Sequence, residues 1–164
     1  MSSLFDLPFD DEDAAAGRDA AAAAVDRLAR ECRVIVVDMH AEATAEKIAM
    51  GWHLDGRVAA VVGTHTHVQT ADARVLPGGT AYVTDVGMTG PHDSIIGMER
   101  AEVLARFVTG LPSRMEPASA NPRLQAVVID ADERTGLARA IERIDWSLDD
   151  ISAARRTVDD ERAF

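Results

Sequence analysis

The residues with the most chemical potential are three histidines. His65 and His67 stand one residue apart in "GTHTHVQTAD", and His40 closes the run "VVDMH". Neutral imidazole is a good ligand for zinc, manganese or iron near neutral pH. In an extended segment, residues i and i+2 point the same way, so His65 and His67 can face one site. An HxH pair by itself fits an ordinary loop equally well, and a lone histidine at a strand end fits a satisfied structural residue. The metal reading rests on where the elements put all three.

Those elements are legible in outline. "AAAGRDAAAAAVDRLAREC" predicts a helix over 14–31, after an irregular acidic lead-in over 1–13. "RVIVVDM" (33–39) is a β-branched run that predicts a strand buried on both faces. "TAEKIAMGWHLDG" (44–56) predicts a helix capped by Thr44 and closed by Gly56, and "RVAAVVG" (57–63) a second buried strand. Strand, helix, strand makes a βαβ unit with parallel strands, whose carboxyl ends share one edge of the sheet. His40 follows the first strand and His65 and His67 the second, so all three are expected at the edge where open α/β sheets bind ligands.

Farther on, Pro77-Gly78-Gly79 punctuates a hairpin over 73–87, and 97–110 reads as a helix ended by Gly110. A second hairpin is expected over 123–146, turning near Thr135-Gly136, with an acidic, fraying tail over 147–164.

Other candidates carry two readings each. Asp38 could orient a histidine or cap a turn. Asp85 ends a strand, where an acid serves a ligand network or a turn. The glycine-rich "DVGMTGPHDSIIG" could approach a phosphate through backbone amides at Gly87, Thr89, Gly90 and His92, or be a tight connector. His53 reads as surface or half-buried packing; Met39, Met50 and Trp52 read as core; Cys32 reads as an inert packing residue.

Composition bounds the rest. The chain has 164 residues, 47% of them apolar, and a net charge of −11. That charge opposes a broad duplex-binding surface, which needs clustered Lys and Arg. No stretch is long and uncharged enough to span a membrane. The first residues are acidic where a secretion signal would be basic, so none is expected there. A single cysteine, Cys32, fits a reducing cytoplasm.

The stretch from "VVDMHAEATAEKIAMGW" through "GTHTHVQTADARVLPGGTAYVTDVGMTGPHDSIIGM" resembles the C-terminal part of the YmdB-type branch of the calcineurin-like metallophosphoesterases, associated with 2′,3′-cyclic nucleotide phosphodiesterase activity. The similarity covers residues 5 to 146 and is densest over 34–98. The resemblance implies an α/β (α+β) fold: a β-sandwich flanked by helices, with two divalent metals (iron, manganese or zinc) at the strand ends. His40 matches a ligand in the family's "DxHAEATSEK" segment, and His65 and His67 match the two ligands of its "GTHTH" motif. His53 falls where the family varies. Two such ions, about 3.5–4 Å apart, clamp a phosphoryl group and activate a hydroxide for in-line hydrolysis.

The family's site also draws on an N-terminal half: an Asp, a bridging acid, an Asn and a neighbouring His taken as the general acid. No "GDxxG"-like or "GNH"-like segment is present here. Residues 1–146 therefore read as the C-terminal portion of one metallophosphoesterase domain, weak or inactive alone, with a bared sheet edge that invites self-association. The rival from another class is a non-catalytic remnant acting as a metal-binding or interaction module. An amidohydrolase also uses HxH, but its barrel needs at least about 200 residues.

Overall fold

Helix α1 (Glu12–Leu28) and helix α2 (Thr44–His53) flank strand β1 (Val36–His40), and strand β2 (Ala60–Thr64) follows. This is the expected βαβ unit: β1 and β2 are parallel, with Val36 opposite Ala60 and His40 opposite Thr64. The structure, a computed structural model, describes residues 12–162; the acidic lead-in lies almost wholly outside them.

Strands β3 (Arg74–Val75) and β4 (Ala81–Val83) form the first hairpin, β5 (Gly90–Pro91) leads to α3 (Arg100–Thr109), and β6 (Pro122–Ala131) and β7 (Ala138–Ser147) form the second. One sheet has the order β1-β2-β4-β3, with β4 parallel to β2; the other has the order β5-β6-β7. Helix α4 (Leu148–Arg162) ends the described chain.

Burial on β2 shows how the layers stack. Val61 turns to the helices and packs with Val25 of α1, Met50 of α2, Leu54, Ile35 and Tyr82. Ala60 turns the other way, and with Ala81 and Ala138 it forms a second cluster joined by Val62, Ile129 and Ile141. Alternate residues of one strand thus serve opposite faces, as a pleated strand requires. The result is helices on one face of the first sheet and the second sheet on the other: a helix-flanked sandwich of mixed α/β character. Each fully buried aliphatic side chain contributes about 1.5–3 kcal/mol to holding it.

Several expectations need correction. β1 is not buried on both faces: it lies at the sheet edge, its residues alternate between exposed and half-buried, and Val36 is 55% exposed. Thr44 is already inside α2; Ala43 is the cap residue, with no side-chain cap bond, and the helix closes at Leu54 before Gly56. Trp52 is 50% exposed because the buried stripe of α2 runs through Lys47, Met50 and Gly51, with Trp52 off it. The Arg74 guanidinium lies 5.8 Å from the Trp52 ring instead. Cys32 is exposed.

The tail read as fraying is helical over most of its length. Ser147 and Asp150 cap α4 reciprocally: the Asp150 amide donates to Ser147 Oγ at 3.2 Å and the Ser147 amide to Asp150 Oδ2 at 2.8 Å. Gly110, as expected, closes α3 in the left-handed conformation. Among the described residues no helix is long and apolar enough to cross a membrane.

Candidate metal centre

The parallel register sets the geometry. His40 is the last residue of β1 and lies beside Thr64, the last of β2, so His65 leaves the sheet next to it. The two rings meet edge to face with centroids 5.1 Å apart. His40 Nε2 and His65 Nδ1 are 3.4 Å apart, and both residues are exposed.

A short relay fixes the state of His40. Thr64 Oγ1 is 2.9 Å from Asp38 Oδ1 and 3.0 Å from His40 Nδ1. An ionised carboxylate only accepts, so the single hydroxyl proton goes to Asp38. The hydroxyl oxygen must then accept from His40 Nδ1–H. Assigned from this network, the His40 proton sits on Nδ1 and the Nε2 lone pair faces His65. Asp38 therefore does orient a histidine, through Thr64, a residue that the sequence reading did not single out.

The loop after β2 has an unusual backbone. His65 has φ +117 and His67 φ +62. Positive φ at a non-glycine residue costs about 1–3 kcal/mol and persists only where surroundings impose it. The imposing groups lie underneath. Lys47, the chain's single lysine, is fully buried on the inner stripe of α2, and its Nζ donates to the Thr64 carbonyl at 2.7 Å and to Asp85 Oδ2 at 3.2 Å. Asp85, also fully buried, accepts from the Thr66 amide at 2.8 Å and from the Gly87 amide at 2.9 Å. Burial pushes the Asp85 carboxyl upward, but the Gly87, Thr66 and Lys47 hydrogen bonds outweigh it and hold it below the usual carboxylate range.

His67 is exposed on the same loop. Among the described residues, no group of three His, Cys, Asp or Glu side chains is arranged to hold a metal ion. The structure brings His40 and His65 within 3.4 Å of each other and places His67 two residues on along the same exposed loop. As a pair the two rings fit a cation: nitrogens about 2.0–2.1 Å from one tetrahedral ion sit roughly 3.3–3.4 Å from each other. A catalytic ion takes three or more protein ligands, so the pair fits as part of a set.

The glycine-rich loop after β4 is built differently. The Gly87 amide is committed to Asp85, the Met88 amide donates to Gln125 Oε1 at 3.1 Å, and Thr89 Oγ1 donates to the Gln125 carbonyl at 3.2 Å. Gly90 pairs with Arg123 in the β5–β6 ladder. The His92 amide donates to the Asn121 carbonyl at 2.9 Å, and its Nε2 lies 3.1 Å from the Met88 carbonyl. The Gly87, Met88 and His92 amides are thus committed to the protein's own acceptors. His53 is exposed at the end of α2, as expected.

Comparisons with known proteins identify the chain's relatives. Residues 9–144 match the sequence profile of the YmdB-like protein family. Over 116 residues the chain is 59% identical to a 2′,3′-cyclic-nucleotide 2′-phosphodiesterase of Bacillus subtilis (strain 168), spanning 71% of this chain and 44% of that one. It is 40% identical over 124 residues to a putative phosphatase/phosphodiesterase of Mycoplasma genitalium, spanning 75% and 44%. A crystal structure of a novel phosphatase from Mycoplasma pneumoniae superposes with a TM-score of 0.73 at 36% identity, over 79% of this chain and 46% of that one. A hypothetical protein from Thermus thermophilus superposes with a TM-score of 0.68 at 48% identity, over 76% and 49%. The chain spans about half the length of these relatives. With most of its length under that profile and two parallel strands bringing His40 and His65 together, the chain belongs to the YmdB-like protein family.

Proposed function

We propose that this chain is the metal-ligating part of a metal-dependent phosphodiesterase whose substrate is a small phosphodiester of the 2′,3′-cyclic nucleotide class. One observation carries the reading: two imidazole nitrogens converge to 3.4 Å at the shared end of two parallel strands, one of them with its lone pair freed by the Asp38–Thr64 relay. His40, His65 and His67 are assigned as ligands to divalent transition metal (iron, manganese or zinc), two ions in the whole protein.

When bound, such ions polarise a phosphoryl oxygen and supply a nucleophile at neutral pH. The chain's own residues do the holding. Thr64 and Asp38 keep the His40 proton on Nδ1. The name of the Bacillus subtilis relative supports the substrate class, and its matched part is 44% of its length. The reaction is accordingly assigned to a longer protein, and the 164 residues alone to weak or no turnover.

The test is metal titration of the chain with zinc and manganese, read by calorimetry, together with hydrolysis of bis(4-nitrophenyl) phosphate. His40→Ala and His65→Ala should each weaken metal affinity by at least about 10-fold. Equal metal content in the variants and the parent would sink the ligand assignment. One rival is a non-catalytic remnant acting as a metal-binding or interaction module, favoured by the lack of any GDxxG-like or GNH-like segment in these 164 residues. Tight metal binding in a full-length form that leaves the diester intact would decide for that rival.

A further inference from the structure

The feature of this molecule that the proposed function does not absorb is a lysine buried where a methionine would pack. Lys47 and Asp85 are both fully buried. A buried ion pair is a poor source of stability, since desolvation consumes most of the attraction and an apolar pair of similar volume does as well or better. Stability therefore does not account for the pair, and its contacts name another use.

The pair grips the backbone on either side of a single residue. Lys47 Nζ holds the Thr64 carbonyl at 2.7 Å, which belongs to the peptide group preceding His65. Asp85 Oδ2 holds the Thr66 amide at 2.8 Å, which belongs to the peptide group following it. Those two peptide planes define φ and ψ of His65. Clamping both fixes the residue in its φ of +117, a value that L side chains rarely adopt. The Lys47–Asp85 contact of 3.2 Å ties the two clamps into one part. Gly63 makes the room: a Cβ there would lie 2.7 Å from Lys47 Cδ.

We propose that Lys47, acting with Asp85, is a positioning residue that holds the His65 ring against His40 and so presets the spacing of two metal ligands. The metal part of the statement rests on the proposed function; the ring geometry does not.

The experiment separates the two. Imidazole resonances of the 164-residue chain are assigned without metal, and the nuclear Overhauser effect between the His40 and His65 rings is measured; zinc is then titrated. The test variant is Lys47→Met combined with Asp85→Asn, which removes both charges and leaves no uncompensated ion in the core. It should keep native amide dispersion, lose the ring-to-ring effect, and bind zinc at least about 10-fold more weakly, the range seen when groups that orient metal ligands are removed. Added to His65→Ala, the same pair of changes should cost no further zinc affinity. A generally loosened fold would not give that non-additivity.

A folded double variant that keeps the ring contact, and binds zinc within about 2-fold of the parent, overturns the proposal. If the double variant does not fold, Lys47→Gln combined with Asp85→Asn, neutral at both positions and with a side chain too short to reach the Thr64 carbonyl, carries the same readouts. If the parent chain binds no zinc while the ring contact disappears in the variant, the ligand reading fails and the positioning role stands.

Discussion

Two loops leave the same sheet, one after β2 and one after β4, from strands that run parallel side by side. Both are rich in groups that could bind a ligand, and they use them in opposite ways. In residues 64–67 the backbone is satisfied from below by Lys47 and Asp85, and the imidazoles are left facing outward. In residues 87–92 the Gly87, Met88 and His92 amides are bonded to Asp85, Gln125 and Asn121, so much of the loop's main chain is spent on its own closure. A binding loop is one whose main chain is satisfied from elsewhere while its side-chain lone pairs are not. Composition does not distinguish the two cases, because the partners that consume or spare the groups come from distant positions in the chain.

The largest test of this contrast is steric. At Gly63 an added Cβ would lie 1.8 Å from the Thr84 carbonyl oxygen and 2.7 Å from Lys47 Cδ, so backbone as well as side chain must shift. Gly63→Ala should destabilise the chain by about 3 kcal/mol or more, read as a drop in the urea midpoint. A loss under about 1 kcal/mol would mean that the lysine has slack beneath the histidine loop, and the clamp would lose its force.

A smaller effect is expected across the sandwich. Gln125→Leu removes the acceptor of the Met88 amide, a bond of 3.1 Å. Leaving that half-buried donor unpaired should cost about 1–3 kcal/mol. Zinc affinity should not change, since Gln125 is bonded to residues 88, 89 and 145 and not to the histidine loop. A fall in zinc affinity with the fold intact would show that the two loops act as one site and would erase the distinction.

Acid should weaken Asp85, which supports the first loop, and Asp72, which is bonded to Thr70 and Thr84. Burial raises the Asp72 carboxyl, but hydrogen bonds from the Thr70 and Thr84 hydroxyls and the Thr84 amide hold it below its ordinary value, as the corresponding bonds do at Asp85. A carboxyl with a depressed native pKa binds its proton more readily when unfolded. Its contribution is therefore fully present above about pH 4, the unfolded value, and is lost as pH falls through the native one. Stability measured by urea titration should be level from about pH 7 to 5 and fall below about pH 4. Asp72→Asn should flatten that acid limb, and an unchanged limb would refute the assignment.

How much of this could be read without coordinates follows the same division. The βαβ unit, both hairpins and the Gly110 stop were legible because local patterns carry them: β-branched runs, Pro-Gly punctuation and a glycine that can adopt positive φ. The meeting of His40 with His65 was legible because parallel strands put their ends together. The exposure of β1 was not, because a β-branched run looks the same at the centre and at the edge of a sheet. Nor was the role of Thr64, whose hydroxyl matters only through the partners on either side. Lys47 did leave a signal. It is the chain's one lysine, and it falls three and four residues before Met50 and Gly51 on the stripe of α2 that must be buried. A charge on an apolar stripe implies a buried partner, and the sequence leaves it open between Asp38 and Asp85, acids that each end an apolar strand.

The smallest expected effect tests the second loop directly. Gly90 has no positive φ, pairs with Arg123 in a regular ladder, and would place an added Cβ no closer than 3.8 Å to any neighbour, the Met88 Cγ. Nothing in the fold therefore demands glycine there. Replacing it with alanine removes conformational freedom from the unfolded chain, which stabilises by about 0.4–1 kcal/mol where the backbone is compatible. Gly90→Ala should raise the melting temperature slightly and leave zinc affinity unchanged. A glycine retained so that a phosphate can approach the main chain would behave otherwise: alanine would leave the fold sound and lower the affinity of the metal-loaded protein for inorganic phosphate. The first outcome keeps residues 87–92 as a connector; the second would move them into the site beside the histidines.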